Sequence, residues 1–244
     1  MKQQKTIFGT LLETHFSSDP KILYGGLSTL INKNINIEKL ITEDSDVYLA
    51  LLFSNYISPD SYNSTLIYCI SNNFDDTVKQ LIRETNIDLN YQNKTGESAL
   101  MIASKLGQVD TVKLLLENKA KTNLQNDKEE TAFSYALEGK SEDTILKIIT
   151  LLFKYNGNLK LTDNHETSNL LKASAFGFTR IVKYILQNTD ETMINYANKY
   201  KDTPLSVAKS NGNSDIVNLL IEYGATNLVS SKSKMSLSNL LKKK

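Results

Sequence analysis

Cysteine is all but missing from this sequence. Cys69 stands alone in 244 residues, so no intramolecular disulfide can form. A reducing compartment is the simplest setting for such a chain, and a cytoplasmic location is expected. Histidine is also scarce, with only His15 and His165. One cysteine and two histidines give no zinc-ligand spacing, and no metal or other cofactor is expected. Arginine is limited to Arg83 and Arg180, against 26 lysines, and the net charge is +1. Arginine makes the bidentate contacts to phosphate and base edges. Its scarcity and the near-zero charge argue against nucleic acid as a partner. No apolar run reaches the roughly 18 residues of a membrane span, so no membrane association is expected. The opening MKQQKTIFGTLLETHF is broken by Gly9 and Thr10, with no small-residue cleavage site behind it, and is not read as a signal peptide.

What the sequence does have is a repeat. An apolar key residue recurs as Leu66, Leu100, Phe133, Leu170 and Leu205, at steps of 34, 33, 37 and 35 residues. Three residues after each key residue stands a small one: Cys69, Ala103, Ala136, Ala173 and Ala208. Four further on comes Gly107, Gly177 or Gly212, with Asn73 in the first copy and Gly139 one residue early in the third.

Each copy has a direct physical reading. Thr203 or its Ser/Thr counterpart caps a helix, and Pro204 suits a first turn that needs no N–H. Leu205 and Ala208 share one helix face. The alanine is small because a neighbouring helix passes close. The glycine ends the helix in a left-handed turn. A second helix opens at Asp110 or Asp215, whose charges suit a helix N-terminus, and its denser apolar pattern predicts deeper burial. One helix pair cannot bury both faces, whereas stacked copies can.

The pattern resembles the ankyrin repeat family. Thr203-Pro204-Leu205, Ala208, Gly212, Ile216-Val217, Leu219-Leu220 and Gly224-Ala225 carry the resemblance. A second copy, with Gly96, Leu100, Ala103, Gly107, Val112, Leu114, Leu115 and Ala120, matches nearly as well. The resemblance implies an all-α, ankyrin-type solenoid of helix-turn-helix units with extended loops. About five repeats are expected over 61–227. The histidine common after Thr-Pro-Leu is replaced throughout, by Ile67, Met101, Ser134, Leu171 and Ser206. The third copy has about four extra residues between Gly139 and Leu151.

Residues 1–60 show helical spacing without the repeat and are expected to form a degenerate N-terminal cap, or else a small separate helical domain. At the other end, LSNLLKKK (Leu237 to Lys244) echoes TSNLLKAS (Thr167 to Ser174), with Leu240 in phase 35 residues after Leu205. Residues 228–244 are therefore either a half-repeat cap or a basic tail.

No catalytic constellation stands out, and the chain is not expected to be an enzyme. Cys69 occupies the small-residue position of a repeat helix, which suits packing. Gly25-Gly26 has no phosphate-loop context. An enzyme would need a site in residues 1–60. The family resemblance implies non-covalent binding of another protein, by a monomer acting as a scaffold, through loop tips and the exposed side of the first helices. An inhibitor or immunity-type protein masking a partner's active site is the alternative. Carried onto this sequence, the candidate contacts are Lys94, Glu97, Asp127, Lys128, His165, Lys199, Tyr200 and Asp202 in the loops. On the helices they are Lys105, Leu106, Glu138 and Phe176. Tyr200, Leu106 and Phe176 are the apolar or aromatic ones and the expected binding hot spots, the alternative being that Leu106 and Phe176 tuck against the next unit.

Overall fold

A computed structural model of the chain describes residues 59–84 and 87–226. The N-terminal cap expected over 1–60 lies outside the described residues, apart from Pro59 and Asp60, and so does the segment 228–244. The chain divides into two compact units, Met1–Ile87 and Asp88–Lys244.

In the first unit, α1 (Pro59–Ser71) turns into α2 (Asp75–Glu84). Asn73 makes the turn at φ 59°, a left-handed conformation that asparagine tolerates. Leu66, Cys69 and Ile70 of α1 are buried, as are Val78 and Leu81 of α2. Asp75 and Asp76 place negative charge in the first turn of α2, where the helix dipole favours it.

The second unit holds four further helix pairs among the described residues. They are α3 (Ala99–Leu106) with α4 (Val109–Glu117), and α5 (Ala132–Ala136) with α6 (Glu142–Lys154). Then come α7 (Asn169–Phe176) with α8 (Thr179–Asn188), and α9 (Pro204–Ser210) with α10 (Ser214–Glu222). A single 3-10 turn, Glu191–Met193, follows α8. First helices pack in the order α3, α5, α7, α9, and second helices in the order α4, α6, α8, α10. This is a helical-repeat solenoid with no extended strand among the described residues.

The caps fall where the repeat placed them. Thr203 Oγ1 accepts from Ser206 N at 3.1 Å, Ser206 Oγ accepts from Thr203 N at 2.8 Å, and Pro204 opens the helix. Ser98 and Ser168 likewise cap α3 and α7, each Oγ accepting from the N–H three residues on, at Met101 and Leu171. Gly107 and Gly177 end those helices at φ 76° and 82°. In the last pair Asn211 is the closing residue, and Gly212 takes the positive φ one position later.

The five key residues and the five small residues after them are all buried. Helix crowding explains the small residues, since Ala103, Ala136, Ala173 and Ala208 have no exposed surface. The extra residues of the third copy do not form a longer loop. They lengthen α6 to 13 residues, while α5 shrinks to five. Ile145, Ile148, Ile149 and Leu152 give α6 a continuous buried stripe, so added helix is the cheapest place to accommodate the insertion.

Candidate functional site

The loops between pairs share one local design. Asn93, Asn126, Asp163 and Asn198 each stand seven residues before a key residue. Each Oδ1 accepts from the backbone N–H two and four residues on: Thr95 and Glu97, Lys128 and Glu130, His165 and Thr167, Tyr200 and Asp202. The residue third after each takes positive φ: Gly96, Glu129, Glu166 and Lys201. Short side chains that bond their own downstream backbone make this turn without help from a sheet.

Neighbouring tips are then joined. Asp127 N donates to Thr95 O at 3.3 Å, Asn164 N to Lys128 O at 2.9 Å, and Lys199 N to His165 O at 3.0 Å. Lys199 Nζ adds a bond to Asn164 O at 2.7 Å. Tyr200 Oη lies 3.2 Å from His165 Nδ1, and the two rings are 5.5 Å apart. The four tips thus form one connected edge. Lys94, Asp127, Lys128, His165 and Lys199 are exposed on it, and Tyr200 is half-buried.

Two candidates sit elsewhere than expected. Asp202 is buried and Glu97 is half-buried. Both lie at the base of their loops, where the Asn198 and Asn93 N–H groups donate to their carbonyls and the Asn198 and Asn93 Oδ1 atoms accept from their N–H groups. Among the helix candidates, Lys105 pairs with Glu138 at 2.9 Å and lies over the Tyr135 ring at 5.5 Å. Leu106 is 48% exposed and Phe176 37%, with the Phe176 ring 5.7 Å from that of Phe178.

Beneath the tips runs a polar network that the sequence reading missed. Tyr135 Oη donates to Glu97 Oε1 at 2.7 Å and accepts from Asn126 Nδ2 at 3.0 Å. Asn126 Nδ2 also approaches Glu130 Oε2 at 3.3 Å. Lys172 Nζ then bridges Glu130 Oε1 at 3.0 Å and Asp163 Oδ2 at 3.2 Å. Burial pushes the Glu97 carboxyl up, but bonds from Asn93, Tyr135 and Thr95 and the Lys105 charge outweigh it, leaving the carboxyl below its ordinary range. Burial and the bond to Glu97 raise the Tyr135 phenol. The clamp residues were legible, because their steps of 33, 37 and 35 match those of the key residues. Tyr135 and Lys172, each two residues after a key residue, carried no shared residue type to reveal them.

Chemically, this surface is made to hold shape. Burial pushes the Cys69 thiol up to about 12, so at neutral pH it is a packing group and not a thiolate nucleophile. Among the described residues no three His, Cys, Asp or Glu side chains are placed to hold a metal. No helix among them is long and apolar enough to cross a membrane.

The comparisons agree with the fold. The family model for ankyrin repeats matches residues 66–163 and 136–231. The chain therefore belongs to the ankyrin repeat family, whose repeats are general protein-interaction modules. It is similar to an ankyrin repeat protein of Acanthamoeba polyphaga mimivirus, 31% identical over 153 residues, covering 57% of this chain and 26% of that one. It is also similar to an ankyrin repeat protein of Fowlpox virus, 29% identical over 167 residues, covering 66% of this chain and 48% of the other. A further mimivirus ankyrin repeat protein is 35% identical over 126 residues, covering 50% of this chain and 72% of the relative. The chain thus spans less than half of the first two relatives.

Proposed function

We propose that this chain binds a partner protein non-covalently and without catalysis, as a monomeric cytoplasmic scaffold. The contact surface is the concave side of the stack, made of the loop tips and the exposed side of the first helices. The observation that carries this reading is the backbone bonding of each tip to the next. An edge already ordered before contact loses little conformational freedom on association. The exposed charges Lys94, Asp127, Lys128 and Lys199 then set orientation. Tyr200 with His165, Phe176 and Leu106 supply apolar and aromatic contact area, and the Lys105–Glu138 pair lies between the helix contacts. Glu97 and Asp202 act from below, by holding their loops.

The test is a dissociation constant for the partner, once captured, with the intact chain and with Tyr200→Ala/His165→Ala. Loss of an aromatic hot spot should weaken binding by about tenfold or more. An unchanged constant, with the same loss from Tyr184→Ala on α8 instead, would move the surface to the second helices.

A further inference from the structure

Second helices within the second unit carry two apolar positions that are buried where a further pair follows. In α4 they are Val112 and Leu116, in α8 Val182 and Leu186, and all four are buried. The equivalent residues of α10 are Val217, which is half-exposed, and Ile221, which is 52% exposed. The face of the last described pair is therefore open and still apolar. On α9 the matching face carries Ser206, where α3 and α7 have the fully buried Met101 and Leu171.

That serine has an internal precedent. Ser134, one residue after its key residue, donates to Asn169 Oδ1 at 3.2 Å, and both side chains are buried. Asn169 stands one residue before the next key residue. Where the first position is apolar, as at Met101 and Leu171, the second is Ala132 or Pro204. The pairing is thus polar with polar and apolar with apolar. One residue before Leu240 stands Asn239. Ser206 Oγ donates to Thr203 O and accepts from Thr203 N, which leaves one lone pair for an Asn239 Nδ2 donor. Chain length fits too. From the last residue of the second helix to the next key residue the steps are 16, 16 and 17 residues, from Glu117, Lys154 and Asn188. From Glu222 to Leu240 the step is 18.

We propose that Leu237–Lys244 docks on the open face of α9 and α10 as a further first-type helix, capped by Ser238, with Asn239 paired to Ser206. Leu240 and Leu241 cover the Val217 side. Ser233 takes the place of the loop clamp, where it makes the same turn more weakly than asparagine.

Amide exchange of the full-length chain tests this. Leu240→Asp should speed exchange across Ser214–Glu222 by roughly tenfold, with α3 to α6 unchanged. Equal exchange in the two proteins would overturn the proposal. A second measurement uses Ser206→Cys/Asn239→Cys in a Cys69→Ala background, alanine being the residue at that position in the other copies. Mild oxidation should give an intramolecular disulfide. A disulfide formed only between two chains would mean that a second copy covers this face, and would equally overturn it.

Discussion

Lys172, on α7, reaches back 42 residues to donate to Glu130 at 3.0 Å. The same ammonium meets Asp163 at 3.2 Å, so one cation ties together the loops before α5 and α7. The three side chains are only 9% to 15% exposed.

Removing that cation leaves two carboxylates facing each other with little solvent. Lys172→Met should destabilise the chain by about 3 kcal/mol, the low end for a broken, largely buried pair. Urea unfolding checks this. Adding Glu130→Gln and Asp163→Asn should recover most of the loss, because the repulsion then disappears. A cost that stays the same in the triple variant would show that the lysine acts through packing alone.

Glu97 gives stability a pH dependence. Its folded carboxyl lies below the ordinary value of 4.5, so its contribution is present above that value and is lost as pH falls through the lower folded one. Tyr135→Phe removes one of the bonds that hold the carboxylate. The variant should lose less stability than the parent as pH is lowered below 4.5, and thermal melts over that range measure the difference.

Two glycines with the same φ of 74° should respond differently to alanine. A Cβ on Gly96 would lie 2.8 Å from Asn126 Cα and Asp127 N, both backbone atoms of the next loop. A Cβ on Gly212 would meet nothing within 4 Å. Gly212→Ala should cost only the left-handed backbone penalty of about 1 kcal/mol. Gly96→Ala should cost about 3 kcal/mol or more, since the loops must also move apart. Paired denaturation curves separate the two.

These residues also show what the sequence could and could not disclose. Helix phase was legible because close packing demands an apolar residue and a small one at fixed spacing, as at Leu170 and Ala173. The caps at Ser98, Ser168 and Thr203 were legible because they act within four residues. Asn93, Asn126, Asp163 and Asn198 obey the same period, and asking what turns each loop would have found them. The Tyr135–Glu97 and Lys172–Glu130 bonds join residues 38 and 42 apart whose types do not repeat. They depend on how closely one helix approaches its neighbour's loop, which no local pattern encodes. The burial of Asp202 has the same origin, since only the folded loop distinguishes its tip from its base.

The most direct test of partner binding along the joined tips is site-specific photo-crosslinking in cells. A photoreactive phenylalanine analogue would replace Tyr200 in one protein, and Phe153, exposed on α6 beside Tyr184 of α8, in another. The account predicts one protein adduct, formed from position 200 and absent from position 153. The same adduct from position 153 alone would contradict it and place the contact on the second helices.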